Sequence, residues 1–272
     1  MTAAPRARRV RLDALLVERG LAPTRTKAQA LVLAGRVNSE GRRLDKPGAT
    51  LPAEAPLEID PAPRFVSRGG EKLAPVLDRF AIAVAGRDCL DVGASTGGFT
   101  DALLRAGASR VAAVDVGRGQ LDWGLRRDPR VVVLEEINAR HLRPADLPFR
   151  PSLAVVDVSF ISLRQVLVPV CACLAPEAEV VALVKPQFEV GRGRVGRGGI
   201  VRDVALHLDV LEGIVAFARE AGLAPRGVAR SPLTGARGNV EFFVYLTPGR
   251  PEATEAELAR ACLEAVHGEA PA

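Results

Sequence analysis

Lysine is nearly missing from this chain: Lys27, Lys46, Lys72 and Lys185 stand beside thirty-three arginines in 272 residues. Arginine supplies the generic positive charge. Each lysine that remains is therefore a candidate for work that needs a compact ammonium or a proton that can be lost near neutral pH, with chance survival as the alternative for any one of them. Long apolar runs are missing too. The best candidate, Val166 to Ala175, is shorter than the ~18 residues a membrane helix needs and contains Pro169, which argues against a membrane-spanning pore. The N-terminus carries Arg6, Arg8, Arg9 and Arg11, followed by Asp13 and Glu18, with no apolar signal-peptide core, so a cytoplasmic location is expected. Cysteines are few. Cys89, Cys171, Cys173 and Cys262 have apolar neighbours and no CxxC spacing, so they read as small core residues rather than a zinc site or disulfide framework, and no metal is expected.

What is present is a near-average globular composition, long enough for one large α/β domain and a small appendage. Charge is unevenly spread. Residues 1–72 hold 14 basic and 8 acidic groups, leaving 23 and 24 for the rest, so the whole positive excess lies in the first quarter. Clustered arginine and lysine favour a polyanionic partner there, against the plainer reading of a basic solvated surface.

In that quarter, Leu12, Leu15 and Leu16, then Ala28, Leu31 and Val32, recur at helical spacing. Two short helices are predicted, over Arg11 to Glu18 and Thr26 to Ala34, with Thr24 as N-cap and Gly35 as stop. Short strands follow between Val37 and Ile59, giving a compact ααβ unit over residues 1–60. A linker over 61–70 leads to a helix from about Glu71 to Phe80. Strands are then predicted at Asp88 to Val92, Arg110 to Val114, Val131 to Leu134, Leu153 to Asp157, Glu179 to Val184, Pro225 to Ala229 and Val240 to Leu246. Helices fill the gaps at roughly 99–106, 118–126, 162–174 and 205–221. Alternating β and α predicts a doubly wound, mainly parallel α/β sheet over 71–250, closed by an antiparallel hairpin, with a helical tail over 251–272.

Asp91-Val-Gly-Ala-Ser-Thr-Gly-Gly-Phe99 follows the first strand of the large domain and opens a helix, the place where nucleotide-like ligands bind in such folds. Gly93, Gly97 and Gly98 permit close backbone approach, and Asp91 can accept from a ligand ammonium. The spacing is not GxGxxG. It suits S-adenosylmethionine, which carries an amino acid and no phosphate, better than a dinucleotide. Asp115, at the end of the next strand, is placed to bind a ribose diol. Asp157 and Lys185 end two further apolar strands and converge on one cleft. They form either a structural salt bridge or a pair in which Asp157 supports Lys185 while the lysine orients or deprotonates a hydroxyl nucleophile. Lys72 and Glu241 read, alone, as solvated charges.

The chain resembles the TlyA family, historically called hemolysins, whose methyltransferase domain is similar to FtsJ-type ribose 2′-O-methyltransferases. The resemblance spans about Arg9 to Leu246 and is carried by several motifs. These are Val66-Ser-Arg-Gly-Gly-Glu-Lys-Leu73, the Asp91 to Thr100 segment, Asp115-Val-Gly-Arg-Gly-Gln-Leu121, Asp157-Val-Ser-Phe-Ile-Ser162, Lys185-Pro-Gln-Phe-Glu-Val-Gly191 and Gly238-Asn-Val-Glu-Phe242. Arg11-Leu-Asp13, Gly20, Arg25, Ala28, Gly35 and Val37 resemble an S4 RNA-binding domain. Glu71 departs from the family, which usually has His there.

The resemblance implies a Rossmann-like seven-stranded methyltransferase fold and a Lys-Asp-Lys-Glu tetrad that falls on Lys72, Asp157, Lys185 and Glu241. It implies that Asp91, Gly93, Ala94, Ser95, Thr96, Gly97, Gly98, Phe99 and Asp115 hold S-adenosylmethionine, with Asn138 facing its adenine. The substrate it implies is ribosomal RNA cytidine within ribosomal subunits, methylated on the ribose by a monomeric enzyme. Arg8, Arg11, Arg25, Lys27, Arg36 and Arg68, with Arg192, Arg194 and Arg197 of a Gly-rich basic loop, are the expected RNA contacts. Two rival readings are a non-catalytic assembly factor, which would bind RNA without methyl transfer, and a pore-forming protein, for which no membrane element is visible. A pseudouridine synthase is disfavoured because Gly41-Arg-Arg-Leu-Asp45 lies inside the small domain.

Overall fold

The computed structural model describes residues 8–61, 63–191, 193–248 and 253–268, and the chain divides into two compact units, residues 1–63 and 64–272. In the first, β1 (Arg9–Arg11) runs directly into α1 (Leu12–Glu18), followed by α2 (Arg25–Leu33), β2 (Val37–Ser39), β3 (Arg42–Arg43), β4 (Thr50–Pro52) and β5 (Glu58–Ile59). β1 pairs with β4, and β3, β2 and β5 form a second sheet in that order, all antiparallel. Helical spacing brings Leu12 and Leu16 of α1 against Ala28 and Val32 of α2, where all four are buried with Val37. The Thr24 hydroxyl accepts from the Lys27 backbone N–H at 3.2 Å and so caps α2. β1 is absent from the sequence reading because three residues carry no usable period.

Asp13 is the one charged side chain at the centre of this unit among the described residues, with 0 % exposure. Its carboxylate accepts from Arg11 Nε at 3.1 Å and Nη2 at 2.9 Å, from Arg25 Nε at 3.1 Å and from Gln29 Nε2 at 2.9 Å. The Arg11 hydrogen bonds hold its carboxyl well below the usual carboxylate range, against the opposing effect of burial.

The second unit contains α3 (Arg68–Arg79), β6 (Asp88–Val92), α4 (Gly98–Arg105), β7 (Arg110–Val114), α5 (Trp123–Arg126), β8 (Val131–Leu134) and β9 (Leu153–Val156). It continues with α6 (Leu167–Ala172), β10 (Glu179–Val184), α7 (Pro186–Glu189), α8 (Val204–Glu220), β11 (Leu223–Arg230), β12 (Phe242–Pro248) and α9 (Glu255–His267). One seven-stranded sheet has the order β11-β12-β10-β9-β6-β7-β8. β6 to β10 pair in parallel, and β12 runs antiparallel to both neighbours, which is the expected closing hairpin.

Period-two alternation gives the sheet two apolar faces. Leu90, Val92, Ala154, Val156, Ala182 and Val184 enter one core, while Cys89, Val111, Leu153, Val155, Val181 and Leu183 enter the other. α9 is no loose tail: Leu258, Cys262, Ala265 and Val266 are at most 4 % exposed in the first core.

Three helices differ from the sequence reading. α3 starts at Arg68, earlier than expected and within the stretch read as linker. The helix expected over 118–126 shrinks to α5, because Gly119 adopts φ +68° and breaks the turn before it. The one expected over 162–174 divides into a 3₁₀ turn, Leu163–Gln165, and α6. Pro169 has no N–H to give the Gln165 carbonyl, which weakens a continuous helix there.

Asp13→Asn is expected to destabilise the chain by about 2 kcal/mol at pH 7, the scale of hydrogen bonds to a charged group. Because the folded carboxyl is depressed, its contribution is present above the ordinary carboxylate range and lost as pH falls through the folded value. Urea unfolding at a series of pH values should therefore show the parent and variant converging as the pH drops below ~4.

Candidate active site

Strand pairing decides which residues meet. Val92 of β6 pairs with Val156 of β9, so Gly93 and Asp157 leave the sheet side by side at its carboxyl edge. Asp115 follows β7 and Lys185 follows β10 at the same edge. β12 is antiparallel, and its first residue, Phe242, pairs with Val184, so Glu241 enters where Lys185 exits. Gly93 lies so close to the next strand that a Cβ would stand 2.3 Å from the Asp157 carbonyl oxygen, and its φ is +85°. A Cβ on Gly98 would meet Ser67 Oγ at 2.3 Å and Gly69 Cα at 2.9 Å, which lets α4 abut the start of α3.

Two ion pairs result. Lys185 Nζ stands 2.5 Å from Asp157 Oδ1 and donates to Ser159 Oγ at 2.8 Å. Lys72 Nζ donates to Glu241 Oε2 at 2.6 Å, with the lysine side chain 11 % and the glutamate 3 % exposed. Beside them opens a cleft of about 580 Å³, whose walls include Asp115, Ile137, Asn138, Asp157 and Phe160. A hollow of about 160 Å³ lies next to it, lined by Ser67, Lys72, Gly98, Asp157 and Gly235 among others. Gly93, Ser95 and Asp157 border both spaces.

The glycine segment is arranged around the cleft as a cradle. Ser95, itself at φ +48°, donates its backbone N–H to Asp115 Oδ2 at 2.8 Å, and Gly117 N–H donates to Oδ1 at 2.7 Å. Ser95 and Thr96 are exposed, Ala94 is buried, and Gly97 is the N-cap of α4. Phe99 is 3 % exposed and stacks on Phe243 at 6.1 Å between centroids. Asn138 lines the cleft, its Oδ1 accepting from the Arg140 backbone N–H at 3.1 Å.

Asp91 sits deeper than its neighbours in the motif suggest. It shares the parity of Cys89, so its side chain points into the core below the loop, is 0 % exposed and lines neither space. Its Oδ2 accepts from the Thr100 hydroxyl at 2.6 Å while Oδ1 is buried without a hydrogen bond. Burial pushes its carboxyl up to about 7. Its place is beneath the cradle rather than on its surface.

The expected RNA contacts are distributed over both units. Arg8 pairs with Glu18 at 3.4 Å, Arg11 and Arg25 hold Asp13, and Arg36 donates twice to the Asp60 carbonyl. Lys27 is exposed. In the second unit, Arg68 donates to the Thr234 carbonyl at 2.6 Å, Arg194 pairs with Asp209 at 2.7 Å, and Arg197 is exposed. Arg192 lies outside the described residues. Ser159 and Glu189 are polar residues of this edge to which the sequence reading gave no role. Both lie in quoted motifs, and Ser159 sits two residues past a strand-ending Asp, which was the available signal.

A doubly wound sheet with a ligand cradle after its first strand and paired lysines and carboxylates at its carboxyl edge defines a methyltransferase-type α/β enzyme domain. The FtsJ-like methyltransferase model matches residues 65–247, and the S4 domain model matches residues 10–55. The chain belongs to the TlyA family. It is 49 % identical over 263 residues to the 16S/23S rRNA (cytidine-2′-O)-methyltransferase TlyA of Mycobacterium tuberculosis, covering 96 % of this chain and 97 % of that one. Hemolysin A of Brachyspira hyodysenteriae is 38 % identical, over 87 % of this chain and 99 % of its own. A solved structure from Streptococcus thermophilus that carries a hemolysin name is 42 % identical, with a TM-score of 0.74 and 96 % of each chain covered. Among the described residues, no helix is long and apolar enough to cross a membrane.

Gly93→Ala is expected to weaken binding of the methyl donor more than tenfold by calorimetry, because backbone must move to admit the methyl group. Gly119→Ala is the control: its φ is +68° with nothing within 4 Å of the added carbon, so it should cost only the ~1 kcal/mol of a left-handed residue. The reverse ranking would contradict the close approach.

Proposed function

We propose that this chain is an S-adenosylmethionine-dependent ribose 2′-O-methyltransferase acting on cytidine in ribosomal RNA. The observation that carries the reading is the shared border at Asp157: the donor fits the larger cleft, a ribose fits the adjoining hollow, and Asp157, ion-paired with Lys185, stands where they meet. The cleft is of the size that encloses a cofactor-sized ligand, and Gly93, which has no room for a Cβ, borders it. Bound there, S-adenosylmethionine supplies an electrophilic methyl group.

The remaining work belongs to the chain. Each Asp115 oxygen accepts one backbone N–H and keeps a lone pair for a ribose diol of the donor. Asn138 faces the adenine end. Lys185 donates one N–H to Ser159 and is held as an ion pair by Asp157 Oδ1, and an N–H that remains orients the 2′-oxygen of the target for in-line attack. Lys72 lines the ribose side, with Glu241 as its ion-pair partner. The displaced hydroxyl proton has the carboxylates of this network as acceptors.

The S4-type unit and the exposed Arg197 segment contact phosphates, and the target nucleotide turns out of its helix to reach the hollow. The enzyme works in the cytoplasm as a monomer on assembled subunits. Transfer of labelled methyl to unmodified small and large ribosomal subunits and to naked RNA tests this, with Lys185→Ala alongside. The parent should label, and the variant should bind subunits equally while losing about 10²-fold or more in rate, the scale of a proton-handling or orienting group. Tight binding without label in any sample would overturn the reading in favour of an assembly factor.

A further inference from the structure

The turn that follows Asp157 is held in an unfavourable shape. Phe160 adopts φ +64°, a left-handed conformation for a bulky residue, and is 91 % exposed, so its side chain contributes little burial to offset that cost. Such a conformation persists when the surroundings over-determine it, and here they do so from one element. Lys185, immediately before α7, donates to Ser159 Oγ. Phe188 of α7 packs on the Phe160 ring at 5.1 Å between centroids. Glu189, the last residue of α7, accepts from Ser162 Oγ at 2.6 Å and from the Leu163 backbone N–H at 2.8 Å. The turn is therefore stitched to the segment that carries Lys185 at its start, middle and end.

Both oxygens of Glu189 are engaged by the turn, so it acts through the turn rather than on a ligand. Burial raises its carboxyl above the ordinary value while its two hydrogen bonds oppose the shift. A partly buried carboxylate is a costly way to hold a surface turn unless the position of that turn matters.

Resting on the methyltransferase reading, we propose that Glu189 and Ser159 are positioning residues for Lys185: Glu189 locks the turn in register with α7, and Ser159, thereby fixed, orients the ammonium towards the target oxygen. An ammonium on a flexible four-carbon stem has three rotatable donors. The hydrogen bond to Ser159 and the ion pair with Asp157, both carried by one turn, restrict the directions in which its remaining N–H groups can point. If the turn relaxes, Ser159 moves and the lysine gains freedom, although Asp157 still neutralises it.

The test is single-turnover methylation of ribosomal subunits at saturating donor, with subunit affinity and thermal midpoint measured for each protein. Glu189→Ala should lower the rate roughly tenfold or more, as small displacements of a positioned group do. Glu189→Gln should stay within about threefold of the parent, because an amide can accept from Leu163 N–H and donate to Ser162 Oγ. Ser159→Ala changes an exposed side chain and keeps the fold even if Glu189→Ala does not. It should lower the rate about fivefold, with the thermal midpoint, RNA KM and subunit affinity unchanged. An active parent with both alanine variants within twofold of it would overturn the proposal while leaving the methyltransferase reading intact. Equal loss in Ser159→Ala of rate and thermal midpoint would assign a structural role and overturn it too. No label with the parent would overturn the reading itself.

Discussion

Parallel pairing of β6 with β9, in the register that sets Val92 beside Val156, is the constraint on which the site depends. It makes the loops after the two strands leave the sheet together, and Gly93 then lies against the Asp157 carbonyl with no room for a Cβ. The glycine loop after β6 and Asp157 after β9 thereby share one edge of the sheet. The same register fixes parity, which sends Asp91 into the core and leaves Asp115 and Asp157 at the rim. A slip of one residue would exchange these assignments.

Stability alone does not explain the two lysine–carboxylate pairs. Ion pairs with little solvent exposure forfeit much of their Coulomb gain to desolvation, and apolar replacements of similar volume are often neutral or stabilising. Lys72 and Glu241 nevertheless sit at 11 % and 3 % side-chain exposure in a chain that uses arginine elsewhere. On the proposed function, electroneutral pairs suit a site that receives a cationic donor beside a polyanion, because they supply two ammonium groups without adding net charge.

The sequence exposes the strands plainly, since runs such as Val131 to Leu134 and Glu179 to Val184 are apolar, β-branched and bounded by turns. Asp115, Asp157 and Lys185 are legible because each follows such a run directly. Lys72 and Glu241 are not: their partnership joins positions 169 residues apart, and only resemblance to a family brings them together. The buried place of Asp91 depends on parity against α4, and the thinning of the 118–126 helix on the backbone of Gly119. Glu189 and Ser159 stayed silent because a single polar residue in a short motif has no period to betray its partner. In the first unit, Arg11 and Arg25 read as free cations, whereas their shared anchor, Asp13, is visible only once α1 and α2 are packed.

The central claim is chemical: the methyl group goes to a ribose oxygen of cytidine. Digestion of RNA from subunits treated with the enzyme and donor, followed by mass-spectrometric nucleoside analysis, tests it most directly. The account predicts 2′-O-methylcytidine, with the adjoining phosphodiester resistant to alkali. A base-methylated nucleoside, or a methylated ribose only on nucleotides other than cytidine, would contradict it.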